Sequence, residues 1–225
     1  MRGILDVTLG MARLSGALAV PASPRGIVIF AHGSGSSRFS PRNVYAANRL
    51  QGEGFGTLLF DLLTEGESRD RRNVFDIALL AARVTEAIDW VAADARTAAL
   101  PIGLFGASTG AAAALRAAAE RPDKVMAIVS RGGRPDLAGP ALPTVRAPTL
   151  LIVGGNDVPV IEMNRAAYRL LSCPKRFVIV PGASHLFEEP GTLEQVAEHA
   201  LIWFQQHFHP ASPEGTGPRT KEPCR

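Results

Sequence analysis

Ser108 is the residue around which chemistry can be assembled. It stands in Gly106-Ala107-Ser108-Thr109-Gly110, between the apolar run Ile102 to Phe105 and the alanine-rich stretch Ala111 to Glu120. The run has the composition of a buried parallel strand, and the alanines have nearly the highest helix propensity available. Glycine two residues to either side allows a strand-to-helix turn too tight for side chains at those positions, which lifts the serine above the sheet. The bland alternative is a serine that merely caps the helix.

A serine hydroxyl becomes a useful nucleophile when an imidazole takes its proton during attack. His185 follows the predicted strand Phe177 to Val180 in the loop Pro181-Gly182-Ala183-Ser184-His185. An imidazole base in turn needs a carboxylate to fix its tautomer and balance its charge. Asp157 ends Gly154-Gly155-Asn156-Asp157, after the predicted strand Thr149 to Val153. Taken alone, Asp157 reads equally well as a turn residue, and Asp136 is the one rival acid. A fourth stretch, His32-Gly33-Ser34-Gly35-Ser36-Ser37, follows the apolar run Gly26 to Ala31 and brings backbone N–H groups to the carboxyl edge of a sheet. His199, His207 and His209 lie on or beyond the last helix and are expected at the surface. Neither they nor the two cysteines, Cys173 and Cys224, have a metal-ligand spacing, and no metal site is expected.

The elements that must position these residues alternate along the chain. Ile4 to Leu9 and Leu14 to Val20, joined through Gly10, predict an antiparallel pair. Six further apolar runs then alternate with helical patterns. The predicted strands are Gly26 to Ala31, Thr57 to Asp61, Ile102 to Phe105, Lys124 to Val129, Thr149 to Val153 and Phe177 to Val180. Helices are predicted over Asn43 to Gln51, Val74 to Ala95, Ala111 to Glu120, Val160 to Leu171 and Gly191 to Phe208. Leu62 to Asn73 reads as a polar loop, and Ser130 to Pro148 as a connection with at most one short helix. The sum is an α/β fold with a mostly parallel eight-stranded sheet covered on both faces and no lid domain. One domain is expected over residues 1–209, with a disordered polar tail over 210–225.

Composition narrows the function classes. A net charge of +3, with scattered arginines, gives no basic patch for nucleic acid or an acidic membrane. No window approaches the length of a membrane span. Asp6 and Arg13 interrupt the apolar pattern of Met1 to Leu14, which reads as a strand and not as a signal peptide. Two cysteines form no disulfide framework, so a reducing cytoplasm is the expected setting. Arg38, Arg69, Arg71, Arg72, Arg131 and Arg134 are placed in loops, where solvated surface positions are expected, though one could meet a substrate carboxylate.

With Gly-Ala-Ser-Thr-Gly, His-Gly-Ser-Gly-Ser-Ser, Gly-Gly-Asn-Asp and the late His185 together, the chain resembles a small α/β-hydrolase of the dienelactone hydrolase-like type, over about residues 1 to 209. In that fold the catalytic order is serine, acid, histidine, which here is Ser108, Asp157, His185. The resemblance implies an oxyanion hole from the backbone N–H groups of Ser34 and Thr109, and a ping-pong mechanism through an acyl-enzyme. It implies no cofactor, and a small-molecule ester as partner. Dienelactone hydrolases proper carry a cysteine nucleophile. The serine here favours a carboxylic ester hydrolase, and the short, lidless Ser130 to Pro148 connection favours small or short-chain esters, with lactone, thioester and acyl-transfer chemistry, or a non-catalytic binding module, as alternatives.

Overall fold

The computed structural model describes residues 3–208. The expected disorder of 210–225, His209 and Cys224 all lie outside them. Eight strands make one sheet: β1 (Leu5–Leu9), β2 (Leu14–Ala19), β3 (Ile27–Ala31), β4 (Gly56–Phe60), β5 (Ile102–Ala107), β6 (Val125–Arg131), β7 (Thr149–Gly154) and β8 (Lys175–Val180). Their order is β1-β2-β4-β3-β5-β6-β7-β8. β2 runs antiparallel to both its neighbours, and every other pairing is parallel. The predicted α/β architecture, a mostly parallel eight-stranded sheet with helices on both faces, is the one observed.

Strand periodicity sorts the core into two layers, because successive side chains point to opposite faces. Ile27, Ile29, Leu58, Leu104 and Ile128 face α4 (Ile77–Ala93) and α5 (Thr109–Glu120). Val28, Phe30, Phe105, Val129 and Leu150 face α1 (Pro41–Gly52) and α7 (Thr192–His207). Phe30 and Phe105 stack with centroids 4.9 Å apart. In α5 the side chains of Ala111 to Ala114 and of Ala117 are wholly buried, so this helix lies close against the sheet.

Three local departures from the sequence reading have physical causes. The expected polar loop Leu62 to Asn73 contains α2 (Glu65–Ser68) and most of α3 (Arg71–Val74). α2 is held by a full capping box, with Thr64 Oγ1 accepting from Glu67 N–H and Glu67 accepting from Thr64 N–H. The predicted helix from Val74 begins instead at Ile77, because the Asp76 carboxylate accepts from Leu79 N–H and sets the start of α4. Between β6 and β7 the chain forms a 3-10 segment, Pro135–Thr144, kinked at Gly139 and interrupted by Pro140 and Pro143. α6 (Val158–Leu170) follows β7 directly.

Candidate active site

At the carboxyl end of β5 the chain turns into α5 through Ser108, whose φ of 48° and ψ of −123° are unusual for a residue with a side chain. One local and one longer-range hydrogen bond hold this conformation. The Ser108 carbonyl accepts from Ala111 N–H at 3.1 Å and from Arg134 N–H at 3.0 Å. The flanking glycines are required by space. A β-carbon on Gly106 would lie 2.5 Å from Ala111 Cα, and one on Gly110 would collide with the carbonyl oxygens of Ala31 and His32. The Ser108 side chain makes no capping hydrogen bond, so the simple helix-cap alternative does not describe it.

β7 and β8 bring the other two residues together. His185 Nδ1 and Asp157 Oδ2 are 2.6 Å apart, with the Asp157 side chain 14% exposed and that of His185 39%. Asp157 precedes α6 without capping it. Its two loops are joined by main-chain bonds: Gly155 N–H to the Val180 carbonyl at 2.8 Å and Asn156 N–H to that of Ala183 at 2.9 Å. Asn156 Nδ2 also donates to the Gly182 carbonyl. Gly154 permits this contact, since a β-carbon there would strike the carbonyl oxygens of Ala183 and Ser184. Asp136 is engaged elsewhere, by the Arg134 guanidinium at 2.8 and 2.9 Å. Ser108 and His185 are not hydrogen bonded to each other.

On the opposite side, the loop after β3 is organised by His32, which is buried. Its Nε2 lies 3.0 Å from Leu62 N–H and must accept from it, so the ring proton sits on Nδ1 and is donated to the Gly33 carbonyl at 3.0 Å. Burial holds the His32 pKa below its ordinary value, in keeping with a neutral ring. Because a trans peptide points its N–H opposite to its C=O, fixing the Gly33 carbonyl turns the Ser34 N–H the other way. Gly33 abuts the Ser108 turn: a β-carbon on it would be 2.9 Å from Ser108 Cβ. Ser34 and Thr109 both line a cleft of about 420 Å³, with Leu62, Leu63, Val74 and Leu80 among its apolar walls.

Two structural roles go beyond the sequence pattern: that of His32 within its loop, and that of Glu189, whose carboxylate accepts from Ser184 N–H at 2.9 Å beside His185. A histidine at the junction of a buried strand and a glycine loop was the available signal for the first. No pattern marks the second. The six loop arginines are not all solvated. Arg38, Arg69, Arg72 and Arg134 are paired with Asp61, Glu65, Asp70 and Asp136, and Arg71 lies over Phe75. Arg131 is 6% exposed, because β6 extends two residues beyond the predicted end and turns this side chain toward Asn43 of α1. His199 and His207 are half-buried rather than fully at the surface, with His207 edge-on to Trp203. No group of three or more potential metal ligands occurs among the described residues, and none of their helices is long and apolar enough to cross a membrane.

A sheet of this order, with a strained serine between β5 and α5 and a histidine–carboxylate pair after β8 and β7, defines an α/β-hydrolase. The chain belongs to the serine hydrolases of that fold, of the dienelactone hydrolase-like type. A family model described as serine aminopeptidase S33 matches residues 22–134. A crystal structure of a dienelactone hydrolase from Anabaena variabilis is 57% identical, covers 91% of this chain and 96% of its own, and superposes with a TM-score of 0.88. A Mycobacterium tuberculosis H37Rv protein, provisionally named as a phosphoribosyl transferase, is 57% identical over 211 residues, which is 94% of this chain. The chain spans about half the length of that relative, 48%. In fold alone it is also similar to a lidless serine hydrolase of Xanthomonas campestris, with a TM-score of 0.75 at 23% identity, over 95% of this chain and 98% of the other.

Proposed function

We propose that the protein is a carboxylic ester hydrolase acting on small or short-chain esters through an acyl-enzyme. The observation that carries this reading is the strained Ser108 turn set beside a His185–Asp157 pair joined at 2.6 Å. Ser108 Oγ attacks the ester carbonyl while His185 takes its proton. The imidazolium, held by Asp157 through Nδ1, then protonates the departing alcohol, and water repeats the sequence on the acyl-enzyme. The backbone N–H groups of Ser34 and Thr109 receive the oxyanion. Thr109 N–H, in the first turn of α5, has no acceptor within its own helix.

Short acyl groups follow from the modest cleft, about 420 Å³, and from the absence of a helical insertion between β6 and β7, where only the 3-10 segment lies. A long chain would leave methylenes in water, forfeiting about 0.8 kcal/mol for each one left unburied. The phosphoribosyl transferase name belongs to a relative twice as long and is not carried over to this chain. The test is a series of p-nitrophenyl esters from acetyl to palmitoyl. kcat/KM is expected to peak between acetyl and butyryl and to fall beyond roughly eight carbons. A value still rising at palmitoyl would refute the short-chain assignment, and failure to hydrolyse any member would refute the esterase.

A further inference from the structure

The cleft beside Ser34 and Thr109 is lined by three ionisable side chains among the described residues, His32, Asp61 and Glu65, and by no lysine or arginine. His32 is kept toward its neutral form by its burial and by accepting the Leu62 N–H. The two acids already have cations. Arg38 donates its backbone N–H to Asp61 Oδ1 at 2.8 Å and bonds Oδ2 through its guanidinium. Glu65 pairs with Arg69 at 2.7 Å. Arg38 approaches Asp61 from an adjoining cavity of about 330 Å³, which Arg13, Ser15 and Thr64 also line. Arg38 and Arg69 are therefore both engaged by carboxylates of the cleft, and neither guanidinium lines it.

A substrate carboxylate entering this cleft would lose its water against Leu62, Leu63, Val74 and Leu80 and meet two carboxylates in place of a cation. Both effects oppose binding. An alkyl group loses nothing polar there, and a hydroxyl or amide finds partners in Ser36, Ser37 and Ser68. We propose that the cleft selects esters whose group on this side is uncharged and rejects those bearing a carboxylate, with the Arg38–Asp61 pair as the specificity-determining element. The inference rests on the esterase reading above and adds the charge class of its substrate.

A matched pair of substrates tests it: the p-nitrophenyl esters of glutaramic acid and of glutaric acid, equal in length and differing in a terminal amide against a carboxylate. After subtraction of the uncatalysed rate, the wild-type protein is expected to show a kcat/KM about tenfold or more higher on the amide, mostly through KM. Asp61→Asn releases Arg38 from its carboxylate, and the amide-to-acid ratio should fall by about threefold or more. Should that variant fail to fold, raising the salt concentration about tenfold on the wild type should shrink the same ratio by screening. Equal or faster hydrolysis of the acid ester would overturn the charge selection and leave the esterase standing. Hydrolysis of neither ester would remove both.

Discussion

The two flanks of Ser108 are built by different means. On the β7 and β8 side, the loops carrying Asp157 and His185 are joined main chain to main chain and packed so closely that Gly154 has no room for a methyl group. On the β3 and β4 side, single side chains do the fixing. His32 holds the Gly33 and Leu62 peptides, and Asp61 holds Arg38. The flank carrying Asp157 and His185 is thus fixed mainly by backbone, with Asn156 and Glu189 adding side-chain bonds, and its close packing at Gly154 leaves little room for substitution there. The flank that borders the cleft is fixed by side chains that can be exchanged one at a time. A common scaffold can accept different substrates under this division, because selectivity can change on one side without moving the His185–Asp157 pair on the other.

The largest expected effect comes from the residue both flanks serve. Ser108→Ala should abolish turnover of a short ester while leaving the thermal transition nearly unchanged, since its side chain caps nothing. Activity above about a hundredth of wild type would refute its role as nucleophile. On the backbone-built flank, Asp157→Asn should lower kcat by about a thousandfold or more, because an amide can hold the wrong imidazole tautomer and cannot balance the imidazolium. Asp136→Asn should stay within about twofold of wild type, since that carboxylate is spent on Arg134. Parallel kcat measurements decide the matter, and a crippled Asp136 variant beside an active Asp157 variant would reassign the acid.

Much of this arrangement was legible in the sequence because buried parallel strands are unbroken apolar runs and the turns that end them are marked by glycine. Ser108 was placed at the turn after β5 by that signal, although β5 runs two residues past the predicted end at Phe105. The choice between Asp157 and Asp136 was open on the residues themselves. It turns on the pairing of β7 with β8, which brings the Gly155 to Asp157 loop against the one carrying His185. Arg131 was misread because β6 runs two residues past the point where its apolar pattern stops. The capping box of Thr64 and Glu67 was present in the sequence, but a four-residue helix is too short to show a period. The role of His32 was hidden for a different reason: its partner is a backbone N–H thirty positions away, and such partners leave no trace in side-chain types.

The smallest effect should appear on the side-chain-built flank and depend on pH. Burial lowers the His32 pKa in the folded protein from its ordinary value of 6.5, so below that pH the unfolded chain binds a proton that the folded chain resists. Stability from this group is therefore complete above about pH 6.5 and drains away as the pH falls toward the folded value. His199 is shifted the same way, by burial first and by Arg176 second, so the wild-type slope belongs to both. His32→Gln isolates one contribution. Between pH 7.5 and 5 the wild-type thermal transition should drop by roughly a few degrees more than that of the variant, both referred to their own values at pH 7.5. The same acidification should loosen the Gly33–Ser34 peptide, because a protonated His32 can no longer accept the Leu62 N–H. Parallel pH slopes in the two proteins would mean that His32 is not the titrating group, and that the Gly33–Ser34 peptide is held by the remainder of its loop.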